Sequence, residues 1–336
     1  LFKATGVPTP DGNEGLRDAQ DAAAALAGLK QRNPALRKAV VKLNDGFSGE
    51  GNAIFDFTDA PSADGGLQRW ITDRLPGMTF VAPEMAWPEY EAKLLEMGGI
   101  AEAFVAGDVK RLPSVQYRVE PGGRLDIVST HDQVTGGEAG HVFEGCRFPA
   151  DPVYAVAIQE AGQAAADALR DQGVVGRFGI DFISVREADE WQHFALEVNL
   201  RKGGTTHPYL MLQHLTDGQY DAETGVYQSR SGQTLCYHAS DNLQAAHYCG
   251  LIPDDLIDIA VENNLHFNPI TQEGVAFHLL GTLSSYGKLG LTCVASTREK
   301  ADGLYRDAVR TLDNETGMNK GPDSGSLTGS DASTPD

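Results

Sequence analysis

Between residues 176 and 208, hydrophobic and polar positions alternate in two short runs separated by a polar stretch, which predicts a two-stranded hairpin with one core face and one chemical face. In the second run, HFALEVNLR, the alternation sends Phe194, Leu196, Val198 and Leu200 to the core and Glu197, Asn199 and Arg201 to the other side. In the first run Phe178, Ile180 and Phe182 share the apolar side and Asp181 points away from it. A turn near Asp189, within the polar stretch 186–190, sets Asp181 opposite Glu197. Two carboxylates, an amide and a guanidinium thus gather on one face.

The same patterning sketches the rest of the chain. A helical stretch covers 13–31, followed by the β-rich run KAVVKLN, a glycine loop DGFSGEGN and the strand AIFDF. Strands are predicted at 79–82, 100–105, 114–120 and 124–130, the last two joined by a Pro-Gly-Gly turn. Helices are predicted at 89–97 and 152–172, with Gly173 as a stop. Near the end come a strand over 274–283, the turn SSYGK, a strand over 289–296 and a helix over 299–312. The apolar spacing of that helix, Ala301, Leu304, Tyr305, Ala308 and Leu312, is a docking face. The class is α+β with mostly antiparallel sheets. Residues 316–336 are rich in Gly, Ser, Asp and Pro and read as a disordered tail. The sequence opens at Leu1 within structured-looking sequence and reads as a fragment or trimmed chain.

Composition narrows the function. With 41% hydrophobic and 22% charged residues the chain is an ordinary globular sequence, and no apolar run approaches the roughly 20 residues of a membrane span. A formal net charge of -20, from 47 acidic and 27 basic residues, disfavours nucleic acid as a partner. The four cysteines show no metal-binding spacing, so zinc is not indicated, and reduced thiols fit a cytoplasmic protein.

Against that background the hairpin face suits magnesium, which takes carboxylate and amide oxygens and completes its shell with water and substrate phosphates. Charged residues on a strand are often only a solvated face. Here Arg201 and Gly203-Gly204-Thr205-Thr206 follow directly, small residues that let a ligand approach the backbone. Upstream, Gly46, Gly49 and Gly51 let backbone amides turn toward an anion, Ser48 adds a hydroxyl, and Lys42 can reach a phosphate from its strand. The loop carries no P-loop signature, and it leads into a strand where a dinucleotide fingerprint would open a helix.

The order of these parts resembles an ATP-grasp enzyme, in which two α+β lobes clasp ATP. Matches run from Gly6-Val7-Pro8-Thr9-Pro10 through Lys42 and residues 44–52 to Glu102-Ala103-Phe104-Val105, Asp181 and Glu197-Val198-Asn199-Leu200-Arg201. The segments KLNDGFSGEGN, STHDQVTGG, EVNLRKGGTTHP and GVAFHLLGTLSSYGKLG are more narrowly similar to the pheganomycin-type ATP-grasp peptide ligase family. The resemblance implies an ATP-grasp domain over 1–260, with a lid lobe to about 100 and a metal-binding lobe beyond it. A small C-terminal α/β appendage over 261–315 follows. It also implies ATP and two magnesium ions, the metal held by Asp181, Glu197 and Asn199. Lys42 and the lid from Gly46 to Gly51, Ser48 included, hold phosphates. Glu102, Phe104 and Val105 take the adenine and Asp108 the ribose. In other ATP-grasp enzymes a further nucleotide-binding lysine lies upstream of the Gly-Val-Pro element, and relatives carry an additional N-terminal domain; neither has a counterpart after Leu1.

The implied reaction joins a small-molecule or peptide carboxylate to an amine through an acyl phosphate, with Lys42 and Arg201 as catalytic groups. Arg118, His131, Lys202, Thr205, Thr206 and His207 are candidate substrate contacts, and His278 and Lys288 are further residues within reach of the cleft. Two other readings compete on the same fold, a phosphotransferase and a non-catalytic ATP-binding regulator.

Overall fold

The computed structural model describes residues 1–45, 51–61, 66–82, 84–136 and 142–317. Among these the first lobe holds strands β1 (Gly12–Leu16), β2 (Lys38–Leu43), β3 (Asn52–Asp56), β4 (Thr79–Phe80) and β5 (Gly99–Ala103) in the antiparallel order β1-β5-β2-β3-β4. Before β1 comes the short helix α1 (Phe2–Thr5), and α2 (Ala19–Arg32), α3 (Leu67–Thr72) and α4 (Trp87–Met97) belong to the lobe. Ala39, Val41 and Leu43 turn into a core shared with Leu26, Leu29 and Leu94, so alternation leaves Val40 and Lys42 on the open face. Tyr90 of α4 donates its hydroxyl to Val41 O at 2.9 Å and to Gly51 O at 3.2 Å, clamping both sides of the glycine-rich connection.

Residues 13–16, expected to begin a helix, are instead part of β1, which pairs with β5 at the sheet edge. The helix starts only after Asp18, whose carboxylate accepts from Asp21 N at 2.8 Å.

The second lobe is a larger antiparallel sheet. Its strands are β6 (Val109–Arg111), β7 (Pro113–Val119), β8 (Leu125–Gly136), β9 (Val142–Phe148), β10 (Gly176–Glu187) and β11 (Glu190–Asn199). A separate pair, β12 (Gln219–Asp221) and β13 (Val226–Gln228), lies outside it, and β14 (Cys236–Gln244), β15 (Gly274–His278) and β16 (Lys288–Ala295) complete it. The order is β11-β10-β7-β8-β9-β14-β16-β15, with β6 on β10. Helices α5 (Ala155–Asp171), α6 (Thr206–Thr216), α7 (Pro253–Glu262), α8 (Leu283–Tyr286) and α9 (Arg298–Glu315) accompany it. Because β16 pairs with β14, the C-terminal strands extend this same sheet. Leu279 adopts a left-handed backbone at φ 56°, which ends β15 four residues after it begins and turns the expected strand over 279–283 into helical turns.

The N-terminal residues belong with the second lobe: Phe2 and Val7 join its core and Pro8 O accepts from Ala195 N at 2.8 Å. The first lobe therefore begins near β1. The tail from 318 onward lies outside the described residues.

Candidate functional site

The hairpin is β10 and β11, closed by Ala188 and Asp189, both at positive φ, and it places Asp181 directly opposite Glu197. Its register then shifts: Phe182 faces Ala195, so Leu196 is an extra residue. This bulge overturns the strict alternation expected for the second strand. Ala195 and Val198 join the core with Trp191, whereas Leu196 lines the cleft beside Glu197. Leu200, beyond the end of β11, is exposed.

Asn199 is held between the two acids, its Nδ2 donating to Asp181 Oδ2 at 2.9 Å and to Glu197 Oε1 at 3.0 Å. Burial and then the neighbouring Glu197 carboxylate push the Asp181 carboxyl well above its ordinary range, while a hydrogen bond from Gln133 and the charge of Arg201 act the other way. Two repelling carboxylates that converge on one amide have an unmet demand for a cation. Among the described residues no group of three or more His, Cys, Asp and Glu gathers to cage a metal. Two carboxylates with neighbouring amide oxygens suit a hard ion that keeps water and takes phosphate oxygens, and magnesium fits that description.

Across the cleft, Lys42 Nζ lies 2.6 Å from Glu102 Oε2, with side chains only 17% and 8% exposed. Glu102 has its backbone inside the sheet, flanked by β1 and β2, so its carboxylate is its contribution to the cleft. The connection between the lobes begins at Phe104, whose N–H donates to Lys38 O at 3.1 Å. Phe104 and Val105 line the cleft, and Lys110 lies over the Phe104 ring at 4.3 Å. Asp108 is exposed and is not among the lining residues. Gly46, Ser48 and Gly49 lie outside the described residues; Gly51 is buried at the start of β3.

The lobes enclose about 1560 Å³, with Lys42 and Glu102 on one side and Asp181, Glu197, Asn199 and Arg201 on the other. Of the candidate substrate contacts, Thr205 lines this space and caps α6, and its hydroxyl makes no capping bond. Thr206 is buried in the first turn, and Lys202 is exposed. His207 packs at a tilt of 38° on His278, ring centroids 4.4 Å apart, which joins α6 to β15.

Lys202, Thr206, His207 and His278 are not among the residues lining this space, and two further candidates are placed elsewhere. His131 is fully buried, bonds Tyr237 Oη at 2.9 Å and packs against Phe148 and Tyr209; burial lowers its pKa to about 3. Alternation puts His131 and Gln133 on one face of β8, but Tyr209 of α6 covers the histidine while the glutamine reaches the cleft and bonds Asp181. Arg118 pairs with Glu120 at 3.2 Å, further along β7 than the cleft residue Gln116. Sequence reasoning passed over Gln133, Ser114 and Lys110. The first lay within the singled-out segment STHDQVTGG, whereas Ser114 and Lys110 carry no signal in sequence.

With this geometry in hand, comparison with known proteins gives a consistent result. Residues 83–223 match the family model described as IQCH-like, ATP-grasp, and residues 255–308 match that of the PGM1 C-terminal domain. The chain is 30% identical over 310 residues to L-propargylglycine--L-glutamate ligase of Streptantibioticus cattleyicolor, covering 91% of this chain and 61% of that one. It is 19% identical over 263 residues to IQ motif-containing protein H of Danio rerio, covering 70% of this chain and 25% of the other. Among solved structures, Campylobacter jejuni biotin carboxylase superposes with a TM-score of 0.56 at 15% identity, over 96% of this chain and 69% of that one. A carboxyaminoimidazole ribonucleotide synthase from Aspergillus clavatus, complexed with ATP, superposes at 0.53 and 15%, over 93% and 71%.

Proposed function

We propose that this chain, which has the ATP-grasp fold, is the catalytic part of an ATP-dependent carboxylate-amine ligase. The observation that carries the reading is the opposition, across one cleft, of the half-buried Lys42 to a converging Asp181-Glu197-Asn199 set with Arg201 beside it. ATP would lie between them. Phe104 and Val105, at the crossing between the lobes, offer apolar surface for the adenine, and Lys42 faces the phosphates. Asp181, Glu197 and Asn199 would hold magnesium, the Asn199 amide turning its oxygen inward; the ion supplies neutralisation of charge on the phosphate oxygens.

In the proposed reaction a substrate carboxylate oxygen attacks the γ-phosphorus, the bridging bond to the β-phosphate breaks, and ADP leaves. The amine nitrogen then attacks the acyl carbon, the bond to phosphate oxygen breaks, and the nitrogen gives up a proton. Arg201 is positioned to counter charge on the transferring phosphoryl group or on the tetrahedral oxyanion. Enclosure between the lobes keeps water from the acyl phosphate. The solved ATP and ADP complexes of the same fold support the nucleotide assignment, and the similar ligase supports amino acids as substrates. Four free cysteines, three of them buried, support a cytoplasmic setting as part of this proposal.

The test is a screen of carboxylate and amine pairs for phosphate release, followed by mass analysis, with Glu197→Gln as control. Release that requires both substrates, yields an amide and falls at least 100-fold in the variant is expected. A phosphorylated product without an amide would replace the ligase with a phosphotransferase, and an unchanged rate in Glu197→Gln would refute the metal assignment.

A further inference from the structure

The cleft continues past the hairpin. Its far wall is built by β14 and β16, where Asp241, Asn242 and Lys288 line the same space as Gly203 and Gly204. The pairing of these strands breaks between Ser240 and Leu243, so Asp241 and Asn242 sit at a bulge before Gln244 resumes opposite Lys288. A bulge re-aims side chains that a regular pleat would send elsewhere. Ser240 on one side is tied to Glu144 O at 2.5 Å and Leu243 on the other packs into the C-terminal core, while Asp241 is turned to the cleft.

The charges at this end are unequal in their partners. Arg147 pairs with Asp302 at 2.8 Å and Arg298 with Asp132 at 2.6 Å. Among the described residues the side chains of Asp241 and Lys288, both half-buried, make neither an ion pair nor a hydrogen bond. Half-buried charges that no described residue pairs are open to a ligand group of opposite sign. From Asp241 to the residue opposite Lys288 is three positions along β14, one of them bulged, or roughly 7–10 Å at about 3.3 Å per step. The four-carbon stem of lysine reaches back over most of that distance. An anion and a cation on one wall of the cleft complement a zwitterion.

We propose that this end of the cleft binds the amine substrate as an α-amino acid, with its ammonium on Asp241 and its carboxylate on Lys288. The inference rests on the ligase reading and deepens it: the C-terminal strands supply part of the active site. It also accounts for Gly204, where a side chain would meet the Phe143 ring at 2.8 Å and so narrow the passage beside the two charges.

The test uses the whole chain loaded with MgADP and three probes of one shape, L-alanine, ethylamine and propionate, followed by saturation-transfer NMR of their methyl groups. L-Alanine should bind at least tenfold more tightly than either single-charge analogue. Asp241→Asn should weaken L-alanine about tenfold and leave propionate unchanged; Lys288→Met should weaken L-alanine and propionate and leave ethylamine unchanged. Calorimetric MgADP binding, measured in parallel, separates the two ideas. Loss of MgADP binding in the wild type refutes the ATP-grasp ligase reading. Normal MgADP binding with no L-alanine signal, or with L-alanine binding indifferent to both variants, refutes the subsite.

Discussion

Replacing Lys42 by Met tests the first lobe's half of the site through stability as well as through activity. The ion pair with Glu102 is short, at 2.6 Å, and both side chains are largely shielded from water. At an effective dielectric near 20 the attraction across that distance is about 6 kcal/mol, and it offsets desolvation that folding has already imposed. Lys42→Met strands the carboxylate between β1 and β2, so a loss of about 3–5 kcal/mol is expected. The double variant Lys42→Met/Glu102→Gln removes the stranded charge and should recover at least half of that loss, a coupling of about 2 kcal/mol or more. Urea unfolding followed by tryptophan fluorescence suits the measurement, because Trp70 and Trp87 pack against the first lobe's core and Trp191 against the second's. MgATP binding should be lost in both variants, which separates the phosphate role of Lys42 from its structural one. A cost below 1 kcal/mol for Lys42→Met, or equal costs for the single and double variants, would refute the buried pair.

Three other outcomes follow from the geometry. Asp181 has its folded pKa raised by burial and by Glu197, so in metal-free protein its stabilising contribution is present below the ordinary carboxylate range and lost as pH rises toward the folded value. The melting-temperature gain from added Mg²⁺ should therefore grow between pH 5 and 8, and a flat gain would contradict the assignment. Gly204→Ala drives a methyl into the Phe143 ring and should cost about 1–3 kcal/mol by differential scanning calorimetry, with a larger proportional loss of turnover. His131→Leu removes one of two side-chain partners of Tyr237 Oη, the Cys146 thiol remaining, and should cost about 1 kcal/mol by urea unfolding, yet turnover per folded molecule should stay within twofold, because His131 touches the aromatic core and not the cleft.

Much of the site was legible because β-structure has a period of two. The facing of Asp181 and Glu197 follows from alternation and one turn, and the structure reproduces it residue for residue. Alternation fails where an extra residue enters or where another element covers a face. Leu196 is such an extra residue, and no composition marks it. The placement of His131 and Gln133 was ambiguous for the second reason: one strand face is half roofed by α6, and local sequence does not reveal where the roof ends. The β1 strand was misread as helix because Asn13 to Arg17 is polar and short, and only pairing with β5 recruits it to the sheet. Lys110 and Asp241 enter the cleft through tertiary placement, so no spacing announces them.

The bulge at Leu196 also explains how one hairpin serves two masters. Without it, a strict pleat that keeps Glu197 on the chemical face would place Ala195 there too and send Leu196 to the core. Inserting one residue lets Ala195 pack beneath the hairpin and donate its N–H to Pro8, so that the N-terminal segment is pinned to this lobe, while Glu197 and Asn199 keep their register against Asp181. Deleting Leu196 should therefore be worse than any point substitution at that position, because it moves either the acids or the core by one place. If the deletion variant retained Mg²⁺-dependent stabilisation equal to that of Leu196→Ala, the bulge would be incidental, and the register of the two acids would have to be set from elsewhere.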